Sequence, residues 1–188
     1  MILAWAVVLG LIIALIRHGR QAFSCIAAIN IRYAWLVLLT VVMQIPLLMT
    51  AAGPTEEIQI QQWLFILSHI LLLAFVWLNR HLTGILIVGV GVLLNLVVIL
   101  ANGGWMPIAP VTLVSINPGT TLAQWQEGLH YAYSKDIILS AQSSRLWIMS
   151  DIFVLGPPFP LPTAFSIGDL VIGLGIIILL AIAGPDEK

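Results

Sequence analysis

Charged side chains are scarce in this sequence, which has seven Lys and Arg and eight Asp and Glu among 188 residues, or 8%. An ordinary soluble domain carries roughly 25% charged residues, so a water-exposed surface of the usual kind is excluded. Hydrophobic residues reach 61%, and we therefore expect hydrocarbon to be the main solvent of the chain. The net charge of −1 argues against nucleic acid as a partner, because phosphate neutralisation requires clustered Lys and Arg.

Cysteine occurs once, as Cys25. A single cysteine permits neither an intramolecular disulfide nor a zinc site built on cysteines. The sequence also lacks a glycine-rich phosphate loop, a GxSxG nucleophile motif and the HExxH spacing of zinc enzymes. Sequence motifs therefore predict no cofactor and no metal.

Five apolar stretches approach the length of about 20 residues that a helix needs to span the hydrocarbon core. They are residues 2–16, 33–52, 60–78, 83–101 and 167–184. The sequence therefore predicts an all-α integral membrane protein, with residues 1–188 forming one membrane domain of five transmembrane helices. The first stretch is short, and we expect snorkelling of Arg17 to complete its span.

The positions of the positive charges predict the orientation of these helices, because short cytoplasmic connections are rich in Lys and Arg. The Arg17–Arg32 connection and the Asn79–Leu82 turn are basic, whereas the Gly53–Gln59 connection is acidic. Alternation then places the N-terminus and residues 102–166 outside, and the tail ending at Lys188 in the cytoplasm. We expect a multi-pass protein of the inner or plasma membrane, with the lipid bilayer as its first partner.

Tryptophan positions provide a second indication of the span ends, because indole rings favour the headgroup level of a membrane. Trp5, Trp63 and Trp105 fall near predicted outer ends, while Trp35 and Trp77 fall near predicted inner ends. The aromatic and charge patterns therefore agree on where the spans end.

The outer segment, residues 102–166, contains aromatic side chains that require burial. A short amphipathic helix is predicted from Thr121, because Leu122, Trp125, Leu129 and Tyr133 recur at helical spacing. The apolar run from Leu146 to Leu155 is too short to span and predicts a re-entrant or interfacial piece. The prolines from Pro157 to Pro162 predict an extended strap that leads into the last span.

Ionisable and polar groups inside a bilayer are costly and are candidates for function. Asp169 opens the last span, where Ser166 can cap the helix and the carboxylate can meet free backbone N–H groups. Gln44, His69 and Asn95 lie within the second, third and fourth spans. We expect them to form polar contacts between helices or, alternatively, to line a polar cavity at mid-membrane.

Four polar residues are candidates for a site at the outer mouth of the bundle: Asn102, His130, Asp151 and Asp169. Asn102 follows the fourth span, where it can either cap the helix or reach into a site. Histidine and carboxylate groups suit zinc or manganese, but these residues lack a metal-ligand spacing in the sequence. Asp136, within Ser134-Lys135-Asp136, is expected to be a solvated charge.

Several motifs are spread along the chain. They are Arg17-His18-Gly19-Arg20, Asn30-Ile31-Arg32 with Trp35, Gln44, Asn95, Asn102-Gly103-Gly104-Trp105-Met106-Pro107, Ser150-Asp151-Ile152 and Phe165-Ser166-Ile167-Gly168-Asp169-Leu170. With these motifs the chain resembles a family of uncharacterised prokaryotic membrane proteins known only by a domain-of-unknown-function label. The resemblance covers nearly the whole chain and implies the multi-span architecture, without an activity.

A second resemblance is local. The segment from Ser144-Arg145-Leu146 to Asp151, and the segment from Phe165 through Asp169 to Gly173, are similar to the two aspartate motifs of the lipoprotein signal peptidase family. The resemblance implies that Asp151 and Asp169 share a proton and activate water for peptide hydrolysis at the outer membrane edge. This chain departs from that family at Ser144, where the family has an aspartate.

Three functions follow as hypotheses. The leading one is a non-catalytic binding or accessory subunit, whose outer segment covers the mouth of the bundle and whose further partner is a membrane protein. The first alternative is an intramembrane aspartyl peptidase-like enzyme that uses Asp151 and Asp169. The second alternative is a small transporter or lipid-handling protein that uses Gln44, His69 and Asn95.

Overall fold

The computed structural model describes residues 2–156, 159 and 162–182. It is mostly helical, at 63%, but the prediction of an all-α fold is wrong, because two small sheets are present. The helices are α1 (Ile2–His18), α2 (Ala22–Ala27), α3 (Trp35–Leu48), α4 (Gln59–Leu78), α5 (Thr83–Ala101), α6 (Pro110–Ile116) and α7 (Ile167–Ile182).

The larger sheet has four short strands in the order β1-β3-β4-β2. The strands are β1 (Gly53–Pro54), β2 (Met106–Ile108), β3 (Leu129–His130), β4 (Asp136–Ile138), β5 (Phe153–Leu155) and β6 (Thr163–Phe165). Strands β2 and β4 are parallel, with Met106 opposite Asp136, whereas the other pairs, including the β5–β6 hairpin, are antiparallel. We call the described residues of 102–166, together with β1, the capping layer.

Helices α5 and α7 pack closely in antiparallel directions because glycines face each other at two levels. A Cβ atom added to Gly175 would lie 2.7 Å from the backbone oxygen of Gly84. One added to Gly91 would meet the backbone oxygen of Gly168. In each helix the two glycines are about two turns apart and lie on the same face, so at both levels this face has no side chains to hold the two backbones apart.

The other long helices assemble around this pair. Ala6 of α1 packs on Gly173, and Gly10 packs on Ile177 and Leu180, so α1 runs parallel to α7. Helix α3 lies against α4, where Gln44 Nε2 donates a hydrogen bond of 2.8 Å to Ser68 Oγ. One end of the bundle, which we call the capped end, therefore contains the starts of α1, α4 and α7 and the ends of α3 and α5.

A hydrophobic cluster joins the capped end of the helices to the larger sheet. It consists of the buried residues Leu47, Ile58, Phe65, Val98, Ile99, Trp105, Met106 and Ile137. Trp105 is only 2% exposed, so its indole ring packs inside the protein, and its predicted place at the membrane interface stays a prediction. The larger sheet needs a large apolar side chain beneath it, and the indole of Trp105 fills that space.

The predicted spans correspond to helices, although their lengths differ. Residues 60–78 and 83–101 match α4 and α5 closely, while the stretch 2–16 continues through α2 as a helical segment, Ile2–Ala27. Three helical segments are long and apolar enough to cross a membrane: Ile2–Ala27, Thr55–Leu78 and Thr83–Ala101. Helix α3 and the described part of α7 are shorter apolar helices, and residues 183–184 of the last predicted span lie outside the described residues.

The prediction of an amphipathic helix from Thr121 is wrong. The chain forms a single 3₁₀ turn at Leu122–Gln124 and then strand β3. Thr121 and Gln124 form a capping box, but Gly128 has a positive φ of 86° and donates a backbone hydrogen bond of 2.8 Å to Ile138 O. Pairing with β4 thus overrides the helical spacing of the apolar side chains.

The apolar run from Leu146 to Leu155 also folds into the capping layer. It forms a 3₁₀ turn at Trp147–Met149, a bridge from Asp151 to Ile108, and strand β5. In the strap predicted for Pro157 to Pro162, Pro157, Pro158, Pro160 and Leu161 lie outside the described residues.

Candidate functional site

A tight turn between β3 and β4 positions the first residues of the site. Tyr133 adopts a positive φ of 58°, and its backbone N–H donates a 2.8 Å hydrogen bond to Thr50 O at the end of α3. Ser134 Oγ donates to Tyr131 O at 2.7 Å and accepts from the Asp136 N–H at 3.0 Å. The turn is therefore fixed to the helix bundle, and it holds Lys135 directly before strand β4.

Lys135 lies between two carboxylates. Its Nζ is 3.0 Å from Asp136 Oδ1 and also forms an ion pair with Asp151 Oδ2. The side chain of Lys135 is 32% exposed, whereas those of Asp136 and Asp151 are 10% and 2% exposed. Burial lowers the pKa of Lys135, but the neighbouring carboxylates outweigh burial and raise this pKa above its ordinary value.

Asp151 is held by the backbone of β2. Its N–H donates a hydrogen bond of 3.1 Å to Pro107 O, and it forms a parallel bridge with Ile108. Burial raises the pKa of Asp151 to about 7, an effect that the Lys135 ammonium opposes and the nearby carboxylates reinforce. Its Oδ1 is buried and has no hydrogen-bond partner among the residues that the structure describes.

These three charged residues line a cleft between the end of α3 and the capping layer, with a volume of about 410 Å³. The cleft is lined by Gln44, Leu47, Leu48, Ile108, Ile116, Tyr131, Tyr133, Ser134, Lys135, Asp136, Asp151, Pro162, Thr163 and Ala164. Its size falls within the range of small-molecule sites, about 300–1,000 Å³, which combine apolar walls with a few polar groups. The cleft therefore offers two carboxylates and one ammonium group beside apolar walls.

Asp169 lies at the start of α7 with partners of its own. Ser166 Oγ accepts from the Asp169 N–H at 3.0 Å, and Asp169 Oδ2 accepts from the Ser166 N–H at 3.3 Å. Asn95 of α5 donates from Nδ2 to Asp169 Oδ1 at 2.8 Å, and its Oδ1 accepts from Ser166 Oγ. The expected capping role of Ser166 and Asp169 is therefore present, and Asn95 adds a contact between helices.

The remaining two residues predicted for the outer-mouth site hold the backbone. Asn102 donates to Val98 O and Arg145 O and accepts from the Arg145 N–H, so it caps α5 and anchors the segment before Asp151. His130 is fully buried, with Nε2 at 2.9 Å from Ser134 O and Nδ1 at 3.3 Å from Ala51 O. Neither side chain forms a hydrogen bond with the side chain of Asp151 or Asp169.

The three residues predicted inside the bundle make separate contacts. Gln44 binds Ser68 and also lines the cleft, while His69 Nδ1 lies 3.0 Å from Phe65 O of its own helix. Asn95 binds Asp169 and Ser166 at the capped end. The expected contacts between helices are present for Gln44 and Asn95, and the transporter hypothesis stays a prediction.

Sequence reasoning missed Lys135 as a site residue and misjudged Asp136. The prediction that Asp136 is a solvated charge is wrong, because Asp136 pairs with Lys135 and its side chain is only 10% exposed. The sequence did contain a signal: Lys135 and Asp136 directly precede the apolar residues Ile137-Ile138-Leu139 in a chain with few charges. A charged pair that opens a buried strand cannot be fully solvated.

The peptidase hypothesis also stays a prediction. The carboxylate of Asp169 lies within electrostatic range of Asp151 and contributes to its raised pKa. Asp151, however, is paired with Lys135, and Asp169 is bound by Asn95. Within the described part of the chain, His, Cys, Asp and Glu side chains form no group of three or more that could hold a metal ion.

The fold and the site define a mostly helical protein with membrane-compatible helices and a sheet-containing layer over one end. Residues 28–181 match the family model described as "Family of unknown function (DUF5317)". The chain belongs to this family, as the resemblance of its motifs to an uncharacterised family predicted. No curated protein and no solved structure matches it.

Proposed function

We propose that this protein is a multi-pass membrane protein without catalysis of its own, which binds a small ligand in the cleft beneath its capping layer. The observation that carries the proposal is the Asp136–Lys135–Asp151 group, a buried charge cluster that opens into a cleft of about 410 Å³. Buried charges are costly and are retained where they serve a specific purpose, and a ligand site is such a purpose.

The proposed topology has five membrane helices, α1, α3, α4, α5 and α7, with the capping layer outside the cytoplasm. Successive helices alternate in direction, which supports this topology. Helix α3 has 14 residues, or about 21 Å of helix at 1.5 Å per residue. It packs against the longer α4, so a short helix can lie beside a full span. The basic residues Arg17, Arg20, Arg32 and Arg80 cluster toward the end opposite the capping layer, which favours a cytoplasmic location for that end.

Native mass spectrometry of the protein, isolated gently from the membranes in which it is made, tests the binding function. The expected result is a bound small molecule that is retained by the wild-type protein. A Leu48→Trp variant places a larger side chain at the edge of the cleft, where Leu48 is 55% exposed, and it should lose the molecule.

The matched control is Leu38→Trp on the same helix. Leu38 is 68% exposed and lies outside the cleft lining, so this variant should retain the molecule as the wild type does. Equal retention by both variants would show that the molecule binds elsewhere and would contradict the proposal. Measurable peptide hydrolysis that requires both Asp151 and Asp169 would contradict it as well.

A further inference from the structure

The charges around the cleft do not balance. Lys135 contributes one positive charge, and it contacts the carboxylates of Asp136 and Asp151. Because two carboxylates contact one ammonium group in the cleft, an anionic ligand would meet repulsion, whereas a cationic ligand would complete the balance.

The buried oxygen of Asp151 adds a second, independent requirement. Asp151 Oδ2 is engaged by Lys135, whereas Oδ1 has no hydrogen-bond partner among the described residues, although Asp151 lines the cleft and is 1% exposed. A buried carboxylate oxygen without a donor is costly. A ligand that brings an N–H group to Oδ1 would remove this cost, which a quaternary ammonium group, with no N–H to donate, could not do.

The walls of the cleft indicate the rest of the ligand. Leu47, Leu48, Ile108 and Ile116 form apolar parts of the lining. Leu48 belongs to α3 and is exposed on the surface of the bundle. An alkyl chain attached to the cationic group could therefore extend along this surface and bury apolar area.

From these three observations we infer that the cleft binds a primary alkyl ammonium group, with its N–H groups directed to the carboxylates of Asp151 and Asp136 and its apolar chain against α3. This inference rests on the proposed function and specifies the ligand class. The same ammonium chemistry occurs in free amines and in ethanolamine headgroups of phospholipids, and the experiment below separates these two sources.

The test measures binding of decylamine by isothermal titration calorimetry to the wild-type protein in nanodiscs of phosphatidylcholine, whose headgroup has no N–H donor. Empty nanodiscs provide the background for partition into lipid. Decyltrimethylammonium has the same charge and chain but no N–H group, and it should bind about tenfold more weakly, the loss expected for charge-assisted hydrogen bonds. Decanoate should show no binding above background. Equal binding of the two cations, or stronger binding of decanoate, would overturn the inference.

Two variants locate the binding within the molecule. Asp151→Asn should weaken decylamine binding about tenfold. Glu127→Gln removes a carboxylate of the capping layer that lies outside the cleft lining, and it should leave the affinity unchanged. If Asp151→Asn does not fold, Leu48→Trp serves in its place, because it blocks the cleft without removing a buried charge. Unchanged binding in the cleft variant that folds would overturn the inference.

Nanodiscs that contain phosphatidylethanolamine distinguish the two sources of the ammonium group. If the headgroup occupies the cleft, this lipid should compete with decylamine and weaken its apparent affinity. An unchanged affinity indicates a free amine, and both results support the inference. If decylamine fails to bind while a different small molecule copurifies in a cleft-dependent way, the inference fails and the proposed function stands.

Discussion

At the scale of single residues, Lys135 compensates for two buried carboxylates, and this predicts what its removal will do. Lys135→Met leaves Asp136 and Asp151 adjacent and unpaired. The free energy of unfolding should fall by about 3 kcal/mol, because a buried carboxylate that has lost its positive partner is no longer compensated for its lost hydration. Chemical denaturation in detergent micelles measures this change.

The double variant Lys135→Met with Asp151→Asn is the control for that experiment, because it removes one of the two carboxylates that Lys135→Met leaves unpaired. It should recover part of the lost stability, since Asp136 stays buried without a positive partner. A Lys135→Met protein as stable as the wild type would show that the ion pairs contribute nothing to the fold.

The raised pKa of Asp151 predicts how stability depends on pH. Burial raises this pKa from an ordinary 3.8 to about 7, so between these values the folded protein binds more protons at Asp151 than the unfolded chain does. The contribution of Asp151 to the free energy of unfolding is therefore fully present below pH 4. It is lost as the pH rises through about 7. Melting curves between pH 5 and pH 8 should show a falling Tm, and Asp151→Asn should remove this part of the slope. If Tm falls with pH equally in the wild type and in Asp151→Asn, the pH dependence comes from other titratable groups.

The sequence revealed only part of the site, for a physical reason. Asp151 and Asp169 attract notice because each interrupts an apolar run, where an ionisable group is costly. Lys135 and Asp136 are adjacent and opposite in charge, which favours a solvated turn, and only the apolar run that follows them indicates burial. Their contact with Asp151 depends on β2, which pairs with β4 on one side and bridges to Asp151 on the other. Pairing between distant segments leaves no local pattern in a sequence.

At the scale of elements, the glycines between α5 and α7 set how closely these helices approach. Gly175→Ala would place a Cβ atom 2.6 Å from the backbone nitrogen of Val88 and 2.7 Å from Gly84 O. Backbone atoms cannot move aside as a side chain can, so the helices must separate. The free energy of unfolding should fall by roughly 2 kcal/mol, although alanine favours a helix more than glycine does.

Gly53→Ala is the matched control for that substitution, because nothing lies within 4 Å of a Cβ atom added there. Its effect on the free energy of unfolding should stay within about 0.5 kcal/mol. If both variants lose the same free energy of unfolding, the close contact between α5 and α7 is not the reason for glycine at position 175.

Helix boundaries were predictable where strong local signals end the helix. Helix α5 begins after the Asn79–Leu82 turn and ends before Gly103-Gly104, and its predicted range of 83–101 agrees with the structure. The capping layer was not predictable, because its strands have two or three residues each. Strands so short show no alternation, and their pairing partners lie far along the chain.

At the scale of the whole molecule, the capping layer and the helix bundle depend on each other. Trp105, Met106 and Ile137 of the layer share a hydrophobic cluster with Phe65, Val98 and neighbouring residues of α4 and α5. The exposed apolar faces of the helices, in contrast, are suited to lipid. The proposed protein is therefore a bundle in the membrane whose outer end is covered by the capping layer, with the charged cleft between them.

Labelling of intact cells with a membrane-impermeant maleimide tests this arrangement most directly, in a Cys25→Ser background that removes the sole cysteine. Gln142 in the capping layer and Gln21 at the opposite end are both exposed and are suited to substitution by cysteine. The Gln142→Cys protein should be labelled in intact cells, and the Gln21→Cys protein only after the membrane is permeabilised. Labelling of the Gln21→Cys protein alone in intact cells, or of both proteins only after permeabilisation, would contradict the account.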